Sequence, residues 1–125
     1  MKSNSKKFDL EERTARFGAE VIKFAQTIPK NSVNNPLISQ LIRSATSVGA
    51  NYCEADDAES RADFKHKIAI CKKEARETTH WFKMIVIANP VFKEECTKFS
   101  QEAKELNLIF NAIINSVNKN DKIRN

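Results

Sequence analysis

Pro36-Leu37-Ile38-Ser39-Gln40-Leu41-Ile42-Arg43-Ser44-Ala45-Thr46-Ser47-Val48-Gly49-Ala50-Asn51-Tyr52-Cys53-Glu54-Ala55 is the most informative stretch of the sequence. Ile38, Leu41, Ala45, Val48, Tyr52 and Ala55 recur every three or four positions and make one apolar stripe of a helix. The opposite side carries Ser39, Ser47 and Ala50, with Arg43 and Glu54 as its charges. A helix that is small or apolar nearly all round is buried on both sides. One side is expected to face its own bundle and the other a second copy of the chain.

The same periodicity extends in both directions. Upstream, Leu10, Thr14, Phe17, Val21, Phe24 and Ile28 predict a helix over 9–28, with Asp9 and Glu12 as a capping box and Pro29 as its stop. A polar link follows, in which Asn35 reads as N-cap and Pro36 as first helical residue of a helix over 36–57. Ser60 with Asp63 reads as the capping box of a third helix, 61–88. Its stripe is Phe64, Ile68, Cys71, Ala75, Thr78, Phe82 and Ile85, flanked by Ile70, Trp81 and Met84, and Asn89-Pro90 ends it. Phe92, Cys96, Phe99, Ala103, Leu106, Phe110, Ile113 and Val117 define a fourth helix over 91–118. Residues 1–7 read as a disordered basic tail and 119–125 as a polar tail. Four such helices with short links predict an all-α, antiparallel up-down-up-down four-helix bundle over 8–118.

Composition agrees. Two glycines and three prolines in 125 residues leave little material for turns, so few long elements are expected. No apolar run approaches the roughly 20 residues that span a bilayer, so no membrane partner is expected. Met1 to Phe8 has positive charge without an apolar segment behind it, which argues against a secretory signal and for the cytoplasm. Cys53, Cys71 and Cys96 are odd in number and lack CxxC spacing, so free thiols are expected rather than a disulfide or a metal site.

The net charge is +5, unevenly spread. Residues 36–60 carry one base and four acids, whereas 61–89 carry seven bases and three acids. At about 100° per residue, Arg61, Lys65, Lys72, Lys73, Arg76 and Lys83 fall within a sector of roughly 120°, with His80 among them. Asp63, Glu74 and Glu77 fall on the opposite flank. Lys65, Lys72, Lys73, Arg76 and Lys83 thus form a basic ridge about 30 Å long, of the kind that follows a phosphate backbone and releases its counterions. The same ridge would equally meet the acids of a neighbouring copy, such as Glu54, Asp56, Asp57 and Glu59. Aromatic residues do not interleave the bases, and the helices are too long for a helix-turn-helix.

Catalytic and metal readings find little support. Glu77-Thr78-Thr79-His80 has Glu-x-x-His spacing, but a di-iron bundle needs a second such motif, and His66 has no Glu three residues before it. No nucleophile has a recognisable base, and glycine is too scarce for a phosphate loop. No enzyme and no cofactor are expected. Arg43, Asn51, Glu54 and Glu77 are polar groups beside apolar surface, where buried polar atoms need partners. They are expected to form hydrogen-bonded pairs, within or between subunits, that fix assembly; the alternative is ordinary wet side chains.

Gln40 to Tyr52, Ser60 to Phe64, His66 to Thr78 with Trp81, and Glu102 to Leu106 together resemble one family. It comprises the bundle proteins encoded by intervening sequences of bacterial 23S ribosomal RNA and the accessory variability proteins of retroelements. The resemblance implies a homopentamer and an association with RNA; its retroelement branch implies a reverse transcriptase as partner. It implies no catalytic residues. It places Arg43, Asn51, Glu54 and Glu77 at recurrent polar positions. Members often have Gly or basic residues after Asn-x-x-Glu; here Ala55-Asp56-Asp57 follows, and acids repel phosphate at that end.

Overall fold

A computed structural model describes residues 6–124. Four α-helices account for nearly all of it: α1 Lys6–Ala25, α2 Asn34–Asp56, α3 Arg61–Ala88 and α4 Lys93–Arg124. A single 3-10 turn, Pro90–Phe92, links the last two.

Contacts between side chains set the register. Gly18 lies against Thr46 and Gly49 against Thr14, so α1 and α2 run in opposite directions. Asn34 meets Asn89, Arg43 meets Glu74 and Glu54 meets Lys67, which makes α2 and α3 antiparallel. Lys65 pairs with Asn118 and Lys72 with Asn111, which does the same for α3 and α4. The chain is thus an up-down-up-down four-helix bundle.

The apolar stripes close on one core. Phe17, Val21, Leu41, Val48, Ile68, Phe82, Ile85, Leu106 and Phe110 are all at most 3% exposed. Toward the end holding the α1–α2 and α3–α4 links, Phe24 packs against Phe82, Phe92 and Phe99 with ring centroids 6.2, 5.4 and 5.3 Å away. Toward the other end, Tyr52 and Phe110 lie 6.4 Å apart. Fully burying a ring such as Phe82 or Phe110 contributes about 1.5–3 kcal/mol. Polar groups inside are partnered: Thr78 Oγ1 donates to Glu74 O at 2.7 Å and lies 3.0 Å from Ser44 Oγ, and Thr14 Oγ1 donates to Glu11 O. The glycines allow α1 and α2 to approach closely, since a Cβ on Gly49 would lie 3.3 Å from the Thr14 carbonyl oxygen.

Several helix ends differ from the sequence reading. The helix expected from Asp9 already runs at Lys6, so Asp9 is inside it and does not cap it. Lys6 and Lys7 are helical, and the rest of the expected basic tail, residues 1–5, lies outside the described residues. The α-helix stops at Ala25, before Pro29, because the chain tightens into i→i−3 bonds: Thr27 N–H to Phe24 O and Ile28 N–H to Ala25 O. Ile28 remains in the core at 1% exposure.

Helix α2 begins at Asn34, two residues early, and Asn35 is not its cap. Asn31 takes that role from outside: its Oδ1 accepts from Val33 N–H at 3.0 Å and Asn34 N–H at 2.7 Å. For α3, Ser60 Oγ accepts from Asp63 N–H at 3.0 Å. Helix α4 starts at Lys93 because Pro90–Phe92 takes the tighter turn, and it continues through the expected polar tail to Arg124. An ion pair to α3 holds that extension, Arg61 Nε to Asp121 at 3.3 Å, just beyond the Lys65–Asn118 bond at 2.9 Å.

Candidate nucleic-acid interface

The basic ridge lies along the outer seam between α3 and α4. Lys73, Arg76 and Lys83 are exposed, and none of them forms an ion pair among the described residues. Lys65 and Lys72 are half-buried, and each ammonium donates to an α4 amide: Lys65 Nζ to Asn118 Oδ1 and Lys72 Nζ to Asn111 Oδ1, both 2.9 Å. Asn107 Nδ2 donates to the Lys72 carbonyl at 2.8 Å. Beyond the Lys72–Asn111 rung, Arg76, Thr79, Lys104, Asn107 and Leu108 surround a shallow hollow of about 400 Å³ floored by Ala103. Two cations from different helices therefore border one concavity.

Glu74 and Glu77 lie on the other flank of α3, facing Arg43 of α2. Its guanidinium pairs with Glu74 at 3.2 Å and with Glu77, and its Nε donates to Gln40 Oε1 at 2.9 Å. Trp81 Nε1–H donates to the same Glu77 at 2.8 Å. Glu54 binds Lys67 at 2.6 Å and raises the lysine's pKa. Asn51 stands apart: its Nδ2 donates to Ser47 O and Ser47 Oγ of its own helix, both 2.9 Å. Of the four residues singled out as a polar network, Arg43 and Glu77 meet directly, while Glu54 and Asn51 find other partners.

The back of α2 is open in the single chain. Ser39, Arg43, Ala50, Cys53 and Glu54 are exposed there, and Ser47 is half-buried. His80 is exposed, its ring edge-on to Trp81 at 4.8 Å, and Glu77 is already held by Arg43 and Trp81. No group of three His, Cys, Asp or Glu side chains comes together among the described residues. Burial pushes the Cys71 and Cys96 thiols up to about 12 and 11. A larger groove of about 810 Å³ separates α1 from α4; it is mostly apolar, with Leu10, Tyr52, Phe64, Ile109 and Ile113 in its walls. No helix among the described residues is long and apolar enough to cross a membrane.

Sequence reading missed the α4 half of the seam: Lys104, Asn107, Asn111 and Asn118. A signal for it existed. Residues 104, 111 and 118 are seven apart, so they share one face of α4, and an antiparallel partner pairs them with 79, 72 and 65. The absent ingredient was the register.

The comparisons with known proteins bear on the whole bundle. A crystal structure of a protein with unknown function from the S23 ribosomal protein family of Bacteroides thetaiotaomicron is similar, at 28% identity. The match covers 89% of this chain and 99% of that one, with a TM-score of 0.81. No curated protein matches the chain. The family model of the 23S rRNA-intervening sequence proteins matches residues 6–112, all four helices except the last turns of α4. The chain therefore belongs to the 23S rRNA-intervening sequence protein family.

Proposed function

We propose that the protein is a non-enzymatic, cytoplasmic homo-oligomer that binds structured RNA through the α3/α4 seam. The observation that carries this reading is the convergence of exposed Arg76 and Lys104 on one hollow, continued by Lys73 and Lys83, on a face cleared of Glu74 and Glu77. Cations without acidic partners gain most by neutralising phosphates, because each contact releases condensed counterions. The back of α2, where small Ser39 and Ala50 stand between Arg43 and Glu54, is the surface through which copies pack, as a pentamer in keeping with the family resemblance.

Binding of structured RNA across a salt series, with oligomer mass recorded in the same buffers, tests this. Four exposed cations on four phosphates give a log-log slope of about −3 to −4, roughly a hundredfold loss between about 50 and 200 mM salt. Lys73→Glu with Arg76→Glu lowers the slope by about 2 and leaves the mass unchanged. Absence of binding at low salt, or loss of the oligomer on those reversals, refutes the RNA reading.

A second reading rests on Ile87 at the end of α3 and Val91 in the α3–α4 link, 73% and 79% exposed. Apolar side chains standing in water at one end suit a protein partner. The chain would then be a scaffold, for example an accessory subunit of a reverse transcriptase, with the ridge spent on subunit contacts.

A further inference from the structure

The seam contains more than charge. Lys65–Asn118 and Lys72–Asn111 are rungs seven residues apart, about 10.5 Å along the helices, and the same register puts Thr79 level with Lys104 in the hollow. The amide orientations are determined by chemistry. An ammonium only donates, so Oδ1 of Asn111 and Asn118 must face the lysines, and a carbonyl only accepts, so Nδ2 of Asn107 must face Lys72 O. That leaves the Nδ2 groups of Asn111 and Asn118 as donors and Oδ1 of Asn107 as an acceptor, none engaged among the described residues. Neutral donors and acceptors thus share one surface with the cations Lys73, Arg76, Lys83 and Lys104.

Shape narrows the ligand. Two helices side by side, each about 10–12 Å across, are too broad for a B-DNA major groove about 12 Å wide. The ridge itself presents no Phe, Tyr or Trp on which single-stranded bases could stack. An A-form RNA duplex offers a wide, shallow minor groove edged by phosphates and studded with 2′-hydroxyls, each both donor and acceptor. We infer that the α3/α4 seam docks on the minor groove of double-helical RNA, with the exposed cations on phosphates and Asn107, Asn111 and Asn118 on 2′-hydroxyls. This rests on the RNA reading above and adds how RNA is told from DNA.

The test measures binding of the oligomeric protein to four probes of one sequence, each about 16 base pairs or its strand equivalent. They are an RNA duplex, the same duplex 2′-O-methylated, the DNA duplex and the single-stranded RNA. The RNA duplex is expected to bind tightest. Methylation, which keeps the phosphates but removes the hydroxyl donor, weakens it by roughly fivefold or more. Asn111→Ala with Asn118→Ala weakens RNA-duplex binding by a similar factor per rung and leaves DNA binding and the helical circular dichroism unchanged. Lys73→Glu with Arg76→Glu weakens every probe. Equal affinity for RNA and DNA duplexes, equal affinity for the single strand, or indifference to methylation overturns the inference while leaving phosphate binding intact. Binding to none of the probes overturns both. The methylation arm uses the natural chain, so it decides even if the Asn variants misfold.

Discussion

Gly18 and Gly49 sit on the same interface, yet alanine should act differently at the two positions. In a helix interior Ala is favoured over Gly by about 0.8–1 kcal/mol, mostly through backbone entropy. At Gly18 the added methyl would find Thr46 Cα at 3.4 Å and Ala45 O at 3.6 Å, ordinary van der Waals contact. Gly18→Ala should therefore keep the whole gain and stabilise by about 1 kcal/mol. At Gly49 the methyl would meet Thr14 O at 3.3 Å, Thr14 C at 3.4 Å and Ala15 N at 3.5 Å, all backbone atoms of α1. Backbone cannot rotate away, and α1 is seated by buried Phe17 and Val21. A shift of a few tenths of an ångström costs about as much as the propensity returns, so Gly49→Ala should be near neutral or destabilising. Equilibrium urea unfolding of both variants measures the difference, expected to be about 1 kcal/mol with an unchanged m-value. Equal stabilisation, or a larger gain at Gly49, would refute the close approach of α1 to α2.

Alkaline pH should unfold the protein through Cys71 and Cys96. Their folded pKa values of about 12 and 11 stand above the ordinary 9.0, so the folded state holds protons the unfolded chain has released. Stability is then full below pH 9 and falls by about 1.4 kcal/mol per pH unit per thiol from there to about pH 11, measured by urea titration under reductant. With Ellman's reagent in native buffer at pH 8, exposed Cys53 should react at once, and the buried pair only in denaturant. Asn34 and Asn89 exchange two hydrogen bonds, at 3.0 and 2.9 Å, tying the start of α2 to the end of α3. A double-mutant cycle with alanine should give a coupling of about 1–2 kcal/mol, and additive losses would contradict the reciprocal pair. Arg13 grips Glu102 with two bonds and Glu105 with a third. Arg13→Met should cost about 1 kcal/mol in dilute buffer, given that all three groups are partly solvated, and less at 1 M salt.

Much of the bundle was legible because α-helical burial writes itself at three-four spacing. Val21, Val48, Ile68 and Leu106 all sit on stripes readable in the sequence, and each is fully buried. Helix ends were legible where the signal is local, as in Ser60 with Asp63, whose hydrogen bond forms. They were illegible where the partner is distant. Nothing near Asn118 announces that Lys65 and Arg61 hold the last turns of α4. The site followed the same rule. Angular position placed Lys73, Arg76 and Lys83 on one side of α3, but which neighbour supplied the rest depended on the α3/α4 register. Glu54 and Glu77 looked alike as polar groups on apolar flanks, and their separate partners, Lys67 and Arg43, emerge only from packing.

The groove between α1 and α4 bears on how the molecule comes apart. Along α2, α1 is seated through Thr14, Gly18 and the residues around them. Toward α4 it is joined by Arg13 at one level and the Phe24 ring cluster at another, with the groove beyond. Helices α2 and α4 share α3 as a common neighbour and are bonded along its length. Native proteins open in cooperative blocks, and the block with fewest buried attachments opens at the lowest free energy. Hydrogen exchange should accordingly release the amides of α1 together, ahead of those near Ile68, Val48 and Leu106, while α2, α3 and α4 persist as a protected three-helix remnant. Such a remnant keeps the α3/α4 seam whole, so the molecule can loosen on one side without disturbing the surface it presents on the other.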